Sequence, residues 1–137
     1  MQLLHRAFGA VYHIDCHSMP AVGDPLADDA GCERADMVLG DRDGTTCAPE
    51  LTALVARSLR DMGYRVAVND PYKGVEIVRL HGRPAERRHS LQIEIKRSLY
   101  MDEQTLVENE GYGRLQRDLT RLAATLAGFV QERTEQR

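Results

Sequence analysis

VYHIDCHSMP, Val11 to Pro20, begins as an apolar strand and then sets His13, Asp15 and His17 at alternate positions before a proline ends it. Successive side chains of an extended segment point to opposite faces. His13, Asp15 and His17 therefore share one face, and Tyr12, Ile14, Cys16 and Ser18 share the other. A strand this apolar at its start does not belong on an open surface. A carboxylate carried on it is costly to bury unless it is hydrogen-bonded, paired or near a metal.

Upstream, LLHRAFG reads as the last turns of a helix closed by Gly9. Downstream, Ala21 to Arg34 is rich in Gly, Pro and Asp and reads as a long loop, which is uncommon in a compact domain unless functional. ADMVLG, Ala35 to Gly40, is a short strand candidate. Thr45 or Thr46 can cap a helix running to about Met62, with Pro49 in its first turn, Leu51, Leu54, Val55, Leu59 and Met62 on one face, and Gly63 at its end. YRVAVN, Tyr64 to Asn69, reads as a strand, VEIVRL, Val75 to Leu80, as a possible short one, and HSLQIEIKR, His89 to Arg97, as a strand with period-two alternation. Leu115, Leu119, Leu122, Leu126 and Phe129 recur at helical spacing before the polar QERTEQR.

Strands alternating with helices predict an α/β fold with a mostly parallel or mixed sheet and flanking helices, formed as a single domain over residues 1–137. In such folds ligands bind outside the carboxyl ends of strands, where Asp15 and His17 fall.

Composition narrows the function classes. The chain has 137 residues, 42% of them hydrophobic and 28% charged, which is enough to bury a core and ordinary for a soluble globular protein. A formal charge of −3 gives no electrostatic footprint for nucleic acid. The basic cluster Arg83, Arg87, Arg88 is interrupted by Glu86 and reads as a solvated loop, with phosphate or partner binding the lesser possibility. Cys16, Cys32 and Cys47 form no C-x-x-C pair, and their odd number fits a reduced, cytoplasmic setting. No apolar run approaches a membrane span, and the first residues lack the order of a signal peptide, so a soluble, unexported protein is expected.

Read from the residues alone, D-x-H at a strand end has two meanings. An imidazole can ligate zinc while the Asp orients it, or the pair can be a satisfied hydrogen bond at a solvated loop entrance. Glu94 is equally open. Gln92, Glu94 and Lys96 share one face of their strand and read as its outward side, and Gln92 fits either a site or the polar side of an edge strand.

Three segments in order, IDCHSMP, VLGDRDGTTCAPEL and NDPYKGVEIVRLHGRPAERRHSLQIEIKRSLYMDE, resemble the C-terminal half of the N-formylglutamate amidohydrolase family. The resemblance implies half of a zinc carboxypeptidase-like (phosphorylase/hydrolase-like) fold and hydrolysis of an N-formyl or N-acyl acidic amino acid, a step of histidine catabolism. It implies that His17 is the later of the family's metal-binding histidines and that Glu94 is the carboxylate that activates water, while Asp15, two residues before His17, is the candidate to orient it or another ligand. Two substrate carboxylates call for cations. Arg42 in GDRDG and Arg79 in EIVRLHG are the candidates and Lys73 a weaker third, against surface salt bridges with Asp41, Asp43 or Glu76.

His13 is expected to pack beside the sheet, His81 and His89 to line the pocket, and Cys16 to pack away from His17. The family's first metal ligands, a His and a Glu, have no counterpart here. The expectation is therefore a truncated chain or half of a split enzyme, with an incomplete zinc site and weak or no deformylase activity alone. A homodimer through an exposed sheet edge, a complementing N-terminal half, or an inactive α/β module serving binding or assembly remain as further expectations.

Overall fold

A computed structural model describes residues 1–135. The element order is α1 (Gln2–Phe8), β1 (Val11–Met19), β2 (Met37–Gly40), α2 (Pro49–Asp61), β3 (Val66–Val68), α3 (Glu76–His81), β4 (Arg88–Lys96) and α4 (Tyr112–Glu135). The four strands form one sheet in the order β1-β4-β2-β3. β1 and β4 are parallel, β2 and β3 are parallel, and β2 runs antiparallel to β4, so the expected α/β class is met with a mixed sheet. The last two residues of the polar QERTEQR lie outside the described residues.

β4 is the axis of the fold. Its side chains from His89 to Lys96 are buried on both faces because β1 and β2 flank it and layers cover it above and below. Leu91, Ile93 and Ile95 face α2 and α4, where Leu51, Val55, Leu59, Leu115 and Leu122 complete an apolar core with Met37 and Leu39 of β2. Each such fully buried side chain contributes about 1.5–3 kcal/mol relative to exposure. The opposite face of the sheet is polar. His13, Asp15 and His17 stand there beside Ser90, Gln92 and Glu94, register partners across β1 and β4.

The start of α2 differs from expectation. Ala48 occupies the N-cap with no side-chain capping bond, while Thr45 and Thr46 donate their N–H groups to Asp41 O in the preceding turn. The Ala48 N–H is instead met by His89 Nδ1 at 3.1 Å. Pro49 opens the helix at a position that needs no N–H. The Asp41 carboxylate anchors the segment by accepting from Gly44 N–H, Thr52 Oγ1 and Asn69 Nδ2.

VEIVRL is a helix, α3, and not a strand. Six residues of mixed apolar character carry too little periodicity to separate the two. What decides it is tertiary: α3 lies over β4 and buries Val78. Gly74, at φ 103, lets the chain pass within van der Waals reach of Gly40 O at the end of β2.

Candidate active site

His17, Asp15 and Glu94 meet on the polar face toward the carboxyl ends of β1 and β4. Register sets them there: His17 pairs with Glu94 and Asp15 with Gln92 in the parallel ladder. His17 Nε2 lies 3.2 Å from Asp15 Oδ2, and His17 Nδ1 lies 4.0 Å from Glu94 Oε1. The imidazole is 44% exposed while the Glu94 carboxyl is 9% exposed, so the site is a ring at the surface above a buried acid.

Glu94 is therefore not on the outward side of an alternating strand. Its strand is central, and Val38 of β2, itself fully buried, pairs with it on the other side. Burial pushes the Glu94 carboxyl above its ordinary value; His17, Arg34 and Arg97 oppose that shift and Asp15 adds to it. Gln92 is also wholly buried, on a central strand, and bridges two parts of the fold. It accepts from Val75 N–H through Oε1 at 3.2 Å and donates through Nε2 to Asp15 Oδ2 at 3.3 Å. The amide orientation follows from the backbone donor, and one line of contacts runs from the 70–75 loop to His17.

The other expected site residues distribute differently. His13 stands on the polar face, within 2.8 Å of Ser90 Oγ and with its ring 6.0 Å from that of His81. Burial lowers the His13 pKa. His81 thus reaches the polar face. His89 does not: it points into the opposite layer, stacked on Tyr12 at 4.6 Å. Cys16 also faces that layer, on the same side as Tyr12 and Ile14, and is exposed at its rim.

Arg42 lies just beyond β2 and donates through Nη1 to Gly74 O at 3.0 Å. Arg79 is on the exposed side of α3, paired with Glu76, and Lys73 is paired with Asp43 at 2.8 Å. No contact recorded among the described residues joins any of the three to Asp15, His17 or Glu94.

The cations that do act on Glu94 are Arg34 and Arg97. Arg34 is 3% exposed, forked onto both oxygens of Asp29 and set 4.9 Å over the Tyr72 ring. That fork closes the 21–34 loop, which is further held by Gly23–Cys32 and Ala21–Arg34 backbone bonds. Arg97 follows β4 and donates to Ser18 Oγ at 3.3 Å. The sequence offered one signal for it, a cation three residues after Glu94 where the strand must end.

The donor set does not complete a metal centre. The two ring nitrogens of His17 face different carboxylates, so Asp15 and Glu94 cannot join one ion bound at a single nitrogen in this arrangement. Among the described residues no group of three His, Cys, Asp or Glu suited to a metal lies together. Among them, too, no helix is long and apolar enough to cross a membrane.

Comparison with known proteins bears on what this geometry is for. The family model for N-formylglutamate amidohydrolase matches residues 1–101. An N-formylglutamate deformylase of Pseudomonas aeruginosa is 34% identical over 102 residues, which are 74% of this chain and 37% of that protein. A second, from Pseudomonas putida, is 33% identical over 101 residues, 73% of this chain and 37% of that one. The crystal structure of an N-formylglutamate amidohydrolase from Ralstonia eutropha JMP134 superposes with a TM-score of 0.90 at 53% identity, over 96% of this chain and 48% of that one. The chain thus spans less than half the length of each of these relatives, and over that span it belongs to the N-formylglutamate amidohydrolase family.

Proposed function

We propose that this chain carries part of the active site of an amide hydrolase acting on an N-formyl, or more broadly N-acyl, acidic amino acid. Water adds to the acyl carbon, the C–N bond breaks, and formate and the free amino acid leave. The observation that carries the reading is the buried Glu94 carboxyl facing His17 Nδ1 at 4.0 Å, with its pKa raised by burial. A carboxyl whose pKa is raised by burial is better suited than a solvated one both to take a proton from water and to return it to the leaving amine.

In this reading Asp15 positions His17. A proton on Nε2 directed at Asp15 Oδ2 leaves the Nδ1 lone pair on the Glu94 side, and Gln92 holds the Asp15 carboxylate from below. Metal dependence is part of the proposal: zinc would supply Lewis acidity when bound, His17 is the ligand this chain would give, and the others would have to come from outside the cluster. Arg42 and Arg79 would bind substrate carboxylates by exchanging their present partners, Gly74 O and Glu76. Arg97, close enough to act on the charge of Glu94, is a third cation offered for that role.

A second reading, an α/β module without catalysis of its own, is favoured by one observation: the cluster contains a single imidazole among its described members. Formate release from N-formylglutamate separates the two. The hydrolase reading expects turnover that falls at least a hundredfold in Glu94→Gln, within the range of general acid–base contributions. No turnover from wild type at high enzyme concentration, with the fold intact, leaves the module.

A further inference from the structure

A carboxamide accepts at one end and donates at the other. Gln92 uses both ends, accepting from Val75 N–H at 3.2 Å and donating to Asp15 Oδ2 at 3.3 Å. The reverse orientation would set two donors together at Val75 and two acceptors together at Asp15. Gln92 is wholly buried on the central strand, so neither end can turn to water instead.

The peptide that meets Gln92 is itself held from both sides. Gly74 O and Val75 N–H belong to one planar unit, so what holds the carbonyl also aims the N–H. That carbonyl accepts from Arg42 Nη1 at 3.0 Å, and Arg42 N–H donates to Lys73 O at 2.7 Å one residue earlier. A peptide and a carboxamide therefore stand head to tail between a cation and a carboxylate. Every donor in the line points the same way, from the Arg42 guanidinium toward Asp15 Oδ2, and hydrogen bonds in series polarise one another. His17 Nε2 lies 3.2 Å from that same oxygen.

We propose that Gln92 is a positioning residue for His17, acting through Asp15, and that Arg42 sets the strength of the hold from the far end of the line. The His17 ring is 44% exposed and has little packing of its own, so the carboxylate beside it is what fixes it. Among the described residues no hydrogen bond reaches the Asp15 carboxylate other than that of Gln92. Removing either the amide or the cation leaves Asp15 free to turn toward water, and the imidazole with it. The worth of a fixed imidazole rests on the hydrolase reading, whereas the hold exists with or without turnover.

The test is nuclear magnetic resonance of the labelled chain, with relaxation of the His17 ring C–H groups and hydrogen exchange at Val75. The wild-type ring is expected to be about as ordered as rigid backbone, with an order parameter near 0.85. Gln92→Met removes acceptor and donor at nearly constant volume and should bring the ring below about 0.6. Arg42→Gly removes the cation at a backbone φ of 51, which glycine adopts without strain, and should lower the ring order in the same direction. In both, Val75 should exchange roughly tenfold faster or more, with the centre of α2 unchanged. Asp15→Ala should free the ring and leave Val75 protected, because it cuts the line beyond Gln92.

A ring already mobile in wild type, or equally ordered in Gln92→Met, overturns the proposal. A ring that loosens in Gln92→Met and not in Arg42→Gly overturns the part given to Arg42. Faster exchange throughout α2 in Gln92→Met would mean that Gln92 is only filling space. If Gln92→Met fails to fold, Arg42→Gly and Asp15→Ala decide. Formate release separates this from the hydrolase reading: no turnover with an ordered ring removes that reading and leaves the hold, and turnover with a mobile ring does the reverse.

Discussion

Glu94 Oε1 lies 4.0 Å from His17 Nδ1 across two parallel strands, one side chain buried and the other at the surface. The pair owes its geometry to β4 being central: the strand that carries Glu94 is covered on both faces, so the carboxyl has little water to solvate its charge.

A pH dependence follows from that burial. The folded-state pKa of Glu94 is raised above the ordinary 4.5, so between the two values the folded state binds more protons than the unfolded one. The contribution is present below the unfolded pKa and is lost as pH rises through the folded one. Glu94→Gln, which cannot ionise, is expected to gain stability relative to wild type on going from pH 4 to pH 7. Thermal unfolding of both proteins at the two pH values measures this, and a constant difference would contradict it.

Asp41 has the opposite sign. Burial alone would raise its pKa, but hydrogen bonds from Asn69, Gly44 N–H and Thr52 together outweigh burial and hold it below the ordinary value. Its contribution is present above the unfolded pKa and is lost as pH falls through the folded one. Asp41→Ala strands the buried Thr52 hydroxyl and the half-buried Asn69 amide and should cost about 2–4 kcal/mol near neutrality. Urea unfolding at pH 7 and at pH 3 should show that cost shrinking in acid.

How far the sequence discloses this fold differs by element. Alternation in HSLQIEIKR places β4 and its two faces, yet it says nothing of what covers them, so Glu94 and Gln92 read as solvent-facing when they are buried. Position within the sheet is a tertiary property, set here by β2 folding back antiparallel. α3 is illegible for a related reason, since six residues take their state from what they pack on. The strand pattern brought out Asp15 and the resemblance His17 and Glu94, and the three meet. The resemblance also pointed to Arg42 and Arg79, which have other partners, and missed Arg34 and Arg97, whose approach to Glu94 depends on how the loop and the strand end fold over the face.

Gly40 is a packing requirement that sequence would not rank. A Cβ there would lie 2.5 Å from Gly74 N and 2.7 Å from Lys73 C, both backbone atoms that cannot rotate away. Gly40→Ala should push the 73–75 segment off the sheet and break the Val75-to-Gln92 hydrogen bond that leads to Asp15. A loss of roughly 1–3 kcal/mol is expected, as for overpacking in a well-filled region. Hydrogen exchange at the Val75 amide should accelerate more than exchange at the centre of α2. Equal acceleration would mean that the strain is spread through the fold.

Ile93 tests which layer carries stability. It is fully buried on the apolar side of the central strand, and Ile93→Ala leaves a cavity under α2 and α4 costing about 2–5 kcal/mol. Chemical denaturation gives the number, and a cost under 1 kcal/mol would place the stabilising core elsewhere.

Zinc titration asks how much of a metal centre these residues make. One exposed imidazole with a carboxylate on each side supplies one good ligand, whereas tight zinc sites use three or four at bonding distance. Metal-stripped chain should show no heat of binding with micromolar zinc and no rise in Tm, and His17→Ala should behave alike. Tight binding that His17→Ala abolishes would instead mean that further ligands come together around His17 in a rearranged or associated state. Repeating the titration across a range of chain concentrations would then tell whether those ligands come from a second copy.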